Sequence, residues 1–463
     1  MKSSIGARRT ALSAAVAFCA LAAASGSACA WTLEEAAAPY KDQTVHIACE
    51  AYAPCIAFQK FIPEFEQRTG IKVTVEAGDL GQLQQLTMTD ALTGTQVYDL
   101  VQTTNLVIGA WGEHGFATPV QPFLDNSALR DPGYKIEDLA PGVVASTGTY
   151  KGELLGLPYM LNSPFGIYRK DIAADPAEQA AFKAKYGYDT PFNGDKWIEV
   201  KDWKQWRDVA EFYNRKKGDK AGGQVLENNL WGTATAFKRH VTVFYDYERI
   251  LLGMGGVMID DKGAPQFDKP EAKKALDYFL DWRKFAPPSY KEYTWDEEYS
   301  DFCTGKLFST PGWADSTAME EKPEECPAVA GKIGYFLHPG PRTVSDGASW
   351  VIPSKSKNKE AAFLLEQFLG SYDVQKRCHP LGCLSFRKDV LSDPSLDNDG
   401  ATMVFRKLLS DPNLVYPRPA LPQWVELQPI VLDQLSAAGA DQQDADTTLK
   451  NLQDGFNEVL QQQ

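Results

Sequence analysis

Residues 44–102 read TVHIACEAYAPCIAFQKFIPEFEQRTGIKVTVEAGDLGQLQQLTMTDALTGTQVYDLVQ, and the order of periods in this stretch sets the fold class. Residues 44–49 form a short apolar run typical of a strand. Within 57–69, Phe58, Phe61, Ile62 and Phe65 recur at helical spacing, and Gly70 stops the helix. Residues 71–76 (IKVTVE) alternate as a second strand, 80–92 form a second helix, and 97–102 a third strand. The order strand–helix–strand–helix–strand predicts an α/β protein with a parallel sheet covered by helices.

The same reading extends along the chain. Residues 149–158 predict a hairpin feeding a crossing segment, and 165–169 (FGIYR) a strand. Trp203, Trp206, Val209, Ala210 and Tyr213 step round one face of a helix over 203–213. Helices are predicted over 242–252, 271–285 and 358–369, strands over 332–336 and 348–352, and a helical tail over 425–460. No internal repeat is evident.

Lys2, Arg8 and Arg9 precede an uncharged apolar stretch, 11–24, that closes on Ala28-Cys29-Ala30. This is the layout of a secretory signal peptide over 1–30, which predicts a periplasmic protein. Three of the 47 Lys and Arg and none of the 61 acids fall in that segment, so the remainder is three charges more negative than the −14 of the whole chain. Such a surface repels phosphate backbones and anionic lipid, so no nucleic-acid partner is expected. Cys19 and Cys29 leave with the leader. Six cysteines remain, which allow fifteen connectivities. They fall in three near pairs, Cys49–Cys55, Cys303–Cys326 and Cys378–Cys383, and these short loops are the expected disulfides. Neither these cysteines nor the five histidines show metal-ligand spacing, so no metal and no cofactor is expected.

Several motifs occur together. They are FIPEFEQRTGIKV (61–73), YDLV (98–101), GLPYMLNSPFGIYRKD (156–171), FCTGKLFSTPGW (302–313), ASWVIPSKSKNKEAAFLLEQFLGS (348–371) and PLGCLSFRKDV (380–390), followed by a Pro-rich loop holding Trp424. In this order they resemble family 1 of the extracellular solute-binding proteins of ABC importers, the maltose-binding-protein-like group. The paired cysteines and a longer insert around 171–201 depart from the family. The resemblance implies a two-lobe periplasmic-binding-protein fold (type II) with a ligand cleft between the lobes. Each lobe would hold a mostly parallel sheet flanked by helices. Lobe 1 would comprise 31–154 plus 349–383 and lobe 2 would comprise 158–345 plus 386–463, with hinge crossings near 154–158, 345–349 and 381–386. It also implies a monomer that is not an enzyme, captures a di- or oligosaccharide or sugar alcohol, and delivers it to a membrane permease.

A sugar offers hydroxyls and apolar ring faces, so its binder needs carboxylates, amides and aromatic surfaces. Past the C-terminal ends of parallel strands, lobe 1 offers Glu50, Tyr52, Asp79, Thr104 and Asn105. Lobe 2 offers Tyr159, Asn162, Tyr245, Tyr247 and Asp315. Trp313 and Trp424 match positions where sugar-binding members of the family stack a tryptophan on the ligand. The rival readings are a secreted glycoside hydrolase, which needs two carboxyls flanking a bond, and a binding protein for another small polar metabolite or for a chemoreceptor. No G-x-S-x-G or H-E-x-x-H occurs to favour hydrolysis.

Overall fold

The structure is a computed structural model, and it describes residues 31–344, 346–397 and 399–461. The segment 1–30, predicted as an export leader, and Ser345, at one end of a predicted crossing, lie outside the described residues.

A five-stranded sheet organises the first lobe, in the order Lys72–Gly78, Thr44–Glu50, Leu100–Thr103, Asp346–Val351, Gly156–Asn162. The first three strands are parallel, with Thr44 opposite Lys72 and Ile47 opposite Leu100. Asp346–Val351 runs antiparallel to both of its neighbours and carries a register shift at Ala348/Ser349. The helix expected over 57–69 is broken into Ala53–Phe58, a 3₁₀ turn at Gln59–Phe61, and Ile62–Thr69. The cause is Pro63, which has no N–H to continue the helical ladder and so sits in the first turn of the last piece. Gly70 closes that piece in the left-handed region (φ 73°), its N–H donating to Glu66 O at 2.8 Å. Phe65 is buried there and packs on Phe368, 5.5 Å between ring centroids, from Lys359–Leu369.

The second lobe holds a three-stranded sheet with Pro164–Arg169 at its centre, flanked by Ser309–Trp313 and Ile333–Phe336. Both pairings are antiparallel, which corrects the expectation of a mostly parallel sheet in this lobe. That expectation extended to the whole chain a strand–helix alternation that only residues 44–103 display. Here the central strand is more than a hundred residues from either neighbour, so no short strand–helix–strand unit fixes their relative direction. Trp231 and Trp197 add single parallel bridges at the two edges, to Leu307 and Tyr335. Against this sheet Trp206 lies edge-on to Trp282 and Phe336, at 4.6 and 4.8 Å. Val241–Gly253 is buried on every face, as a helix enclosed by others must be. The helical tail is two helices, Trp424–Gly439 and Ala445–Leu460.

Chain passes between the sheets at Asn162–Ser163–Pro164, where one strand ends and the next begins. The segment expected as a crossing over 154–158 runs into Gly156–Asn162, which is paired along the first sheet. Gly347, opposite Leu161 in the first sheet, has φ +151°, and a Cβ there would stand 2.6 Å from the Met160 carbonyl oxygen. Only glycine fits so close an approach. Three disulfides join Cys49 to Cys55, Cys303 to Cys326 and Cys378 to Cys383.

Candidate ligand-binding cleft

The cleft is assembled from strand ends and helix starts that meet between the two sheets. Its volume is about 410 Å³, within the range of small-molecule sites. From the first lobe, Glu50 and Gln102 stand at the ends of adjacent parallel strands, and the Glu50 N–H donates to Gln102 Oε1 at 2.9 Å. Tyr52 follows Glu50, its hydroxyl against the Met160 sulfur, and Thr104 follows the third strand. Asn162 ends its strand at the passage between the sheets, and its Nδ2 donates to Asp315 Oδ1 at 3.4 Å.

The second lobe supplies an aromatic wall. Trp313 ends the strand Ser309–Trp313. Its ring lies edge-on to Tyr245, 5.0 Å between centroids, and the Trp313 backbone N–H donates to the Tyr299 hydroxyl at 2.6 Å. Trp295, Asp296 and Tyr299 come from the helix Trp295–Cys303, which is fixed at its start by a capping box between Thr294 and Glu297. Burial pushes the Asp315 carboxyl up to about 6, against the pull of the Asn162 amide and nearby backbone N–H groups. Burial also raises Asp296, as does the neighbouring Glu297 charge, and burial holds the Tyr299 hydroxyl well above the usual phenol range.

Of the twelve predicted contacts, Glu50, Tyr52, Thr104, Asn162, Tyr245, Trp313 and Asp315 line the cleft together. Five do not, and each has a physical reason. Asp79 caps the helix Leu80–Thr93, accepting from Gln82 N–H at 3.1 Å, so that Leu80 faces the cleft instead. Asn105 is buried and accepts a hydrogen bond from Arg418. Tyr159 packs under the first sheet against Trp350 and Phe58, at 4.2 and 5.3 Å. Tyr247 points to the far side of its helix, its hydroxyl donating to Ala272 O at 3.2 Å. Trp424 is 1% exposed, donates from Nε1 to Pro419 O at 2.7 Å, and packs edge-on against Phe244 and Phe456. It belongs to the core.

The sequence reading missed Gln102, Met160, Trp295, Asp296, Tyr299 and Ser316. Gln102 sits at the strand end that the same rule points to, but it was counted inside the strand. Trp295 and Tyr299 come from a helix that no predicted element covered. Among the described residues, no group of three His, Cys, Asp or Glu side chains is placed to hold a metal ion.

Behind the wall, Arg418 joins the lobes. Its guanidinium pairs with Glu248 of Val241–Gly253, with Nε to Oε1 at 2.9 Å, and reaches Asn105 of the first lobe. It also lies over the rings of Phe244 and Tyr245, 5.3 Å from each centroid.

Comparison with known proteins adds a family and a fold. Residues 60–404 match the family described as bacterial extracellular solute-binding protein. The mannitol-binding protein of Pseudomonas aeruginosa is 26% identical over 292 residues, 60% of this chain and 58% of its own length. The erythritol/L-threitol-binding protein of Mycolicibacterium smegmatis is 23% identical over 327 residues, 67% of this chain and 63% of its own length. The match therefore spans less than two thirds of either relative. Among solved structures, an ABC transporter solute-binding protein from Agrobacterium radiobacter in complex with ribitol superposes with TM-score 0.77 at 23% identity. That superposition covers 90% of this chain and 99% of the other. At that identity the likeness shows a shared two-lobe fold.

Proposed function

Because the chain belongs to the bacterial extracellular solute-binding proteins, we propose that it captures a sugar or sugar alcohol in the inter-lobe cleft, in the periplasm, and delivers it to an ABC-importer permease. It acts as a monomer, and the ligand leaves chemically unaltered. One observation carries this reading. A single cleft gathers acids and amides from both lobes (Glu50 and Gln102 from one, Asp315 and Asp296 from the other) around an aromatic wall of Trp313, Tyr245, Trp295 and Tyr299. Hydroxyls need those acceptors and donors, and the C–H faces of a polyhydroxylated chain or ring need the aromatic surface. A ligand that touches both lobes binds the closed arrangement better than an open one, which is all that closure requires. The lobes divide at the passage near Asn162–Pro164, with the five-stranded sheet in one lobe and the three-stranded sheet in the other. The mannitol-, erythritol- and ribitol-binding relatives favour a sugar alcohol beside the disaccharide suggested by the tryptophans.

A thermal-shift screen over sugars and sugar alcohols, with the recovered compounds analysed for products, tests this. A rise of several degrees with an intact ligand is expected. No stabilisation by any member, or conversion of the ligand to product, would reject it.

A further inference from the structure

Gln102 presents one satisfied and one unsatisfied end of its amide. The side chain is 6% exposed and lines the cleft. The Glu50 N–H can only donate, so the amide atom it meets must be the oxygen. That contact fixes the amide orientation and leaves Nε2 as the other end. Nε2 is buried and has no hydrogen-bond partner. A buried donor left unpaired is costly, and of the buried side-chain atoms without a partner among the described residues, Gln102 Nε2 is the one whose residue lines the cleft. The cleft carries four acids, Glu50, Asp296, Asp315 and Glu325, against two lysines, Lys60 and Lys322, and this acidic balance disfavours an anionic acceptor. A hydroxyl oxygen suits it, because the same hydroxyl can accept from the amide and donate its proton onward.

We propose that Gln102 is a specificity-determining residue whose Nε2 donates to one hydroxyl oxygen of the ligand, so that the site rejects analogues lacking that hydroxyl. This rests on the reading of the cleft as a polyol or sugar site. Selectivity follows from the donor's burial: an analogue without the oxygen leaves Nε2 both dry and unpaired, and sites of this kind discriminate far more strongly than apolar pockets do.

The test uses titration calorimetry of the purified protein with D-mannitol, ribitol, erythritol and maltose, then with the monodeoxy derivatives of the tightest binder. Gln102→Glu keeps an oxygen for the Glu50 N–H and removes the donor, while Gln102→Leu removes both. In the wild type, one particular deoxygenation should weaken binding about tenfold or more. Both variants should bind the parent compound about tenfold more weakly and lose the discrimination against that one derivative. Variants that bind the parent as the wild type does, or that retain the discrimination, would overturn the assignment. Should both variants unfold, the wild-type deoxy series decides, and a series in which every derivative binds like the parent overturns it. Failure of the wild type to bind any of the four probes would instead reject the underlying reading of the cleft.

Discussion

Replacing Arg418 by Met should unseat both the lobe junction and the aromatic wall. The Arg418 and Glu248 side chains are 1% and 2% exposed, so their charges are removed from water and compensate each other. Deleting the guanidinium leaves the Glu248 carboxylate buried without its partner, which costs about 3–5 kcal/mol. The Asn105 side chain also loses its donor, and the rings of Phe244 and Tyr245 lose the cation held over them. Because these losses fall on one network they do not add, and about 4 kcal/mol is expected in all. Guanidinium unfolding monitored by tryptophan fluorescence would read it as a lowered midpoint at unchanged slope. Arg418→Met combined with Glu248→Leu removes both charges and should recover most of the loss, since apolar replacement of a buried pair is often close to neutral. A single variant within about 1 kcal/mol of wild type, or a double variant no better than the single, would refute this reasoning.

Other outcomes follow from the same structure. Trp313→Ala should weaken ligand binding by about 1–3 kcal/mol in calorimetry. Trp424→Ala should instead cost about 3–5 kcal/mol of stability, as a core truncation does, with the equilibrium unfolding curve as the check. Gly347→Ala should destabilise the protein and weaken ligand binding together, because its Cβ would collide with the Met160 carbonyl at the cleft; a variant with wild-type melting would contradict the close approach. Glu320 is 1% exposed, and burial pushes its carboxyl up to about 8 from an ordinary 4.5. The fold therefore binds this proton more tightly than the unfolded chain, so stability from this group is full below about 4.5 and is lost as pH rises through about 8. Glu320→Gln should remove that part of the decline between about pH 4.5 and 8, and identical pH profiles for the two proteins would contradict it.

The first lobe was legible because its strands and helices alternate with clean periods, so the strands Thr44–Glu50, Lys72–Gly78 and Leu100–Thr103 and their parallel pairing could be expected from the sequence. The strands that complete the sheet, Asp346–Val351 and Gly156–Asn162, arrive from far along the chain, and no local pattern records which neighbour they choose. The antiparallel second sheet was hidden for the same reason. In the site, Asn162 was found by its place past the expected crossing, and the strand-end rule found Glu50 and Thr104 because it depends only on where strands stop. It could not separate Thr104 from Asn105, adjacent residues of which one faces the cleft and the other is drawn to Arg418. Tyr245 and Tyr247 likewise share a helix but point to opposite sides, a distinction set by packing around a helix buried on all faces. Trp424 shows the limit of a borrowed position: the indole is there, but its Nε1 is committed to Pro419.

The central claim is that a polyhydroxylated ligand sits between the lobes and draws them together. Small-angle X-ray scattering of the protein, alone and saturated with the sugar or sugar alcohol that stabilises it most, tests this directly. The account predicts a smaller radius of gyration on saturation, and weaker binding of that compound by Trp313→Ala. An unchanged radius at proven saturation, with wild-type affinity retained in that variant, would contradict it.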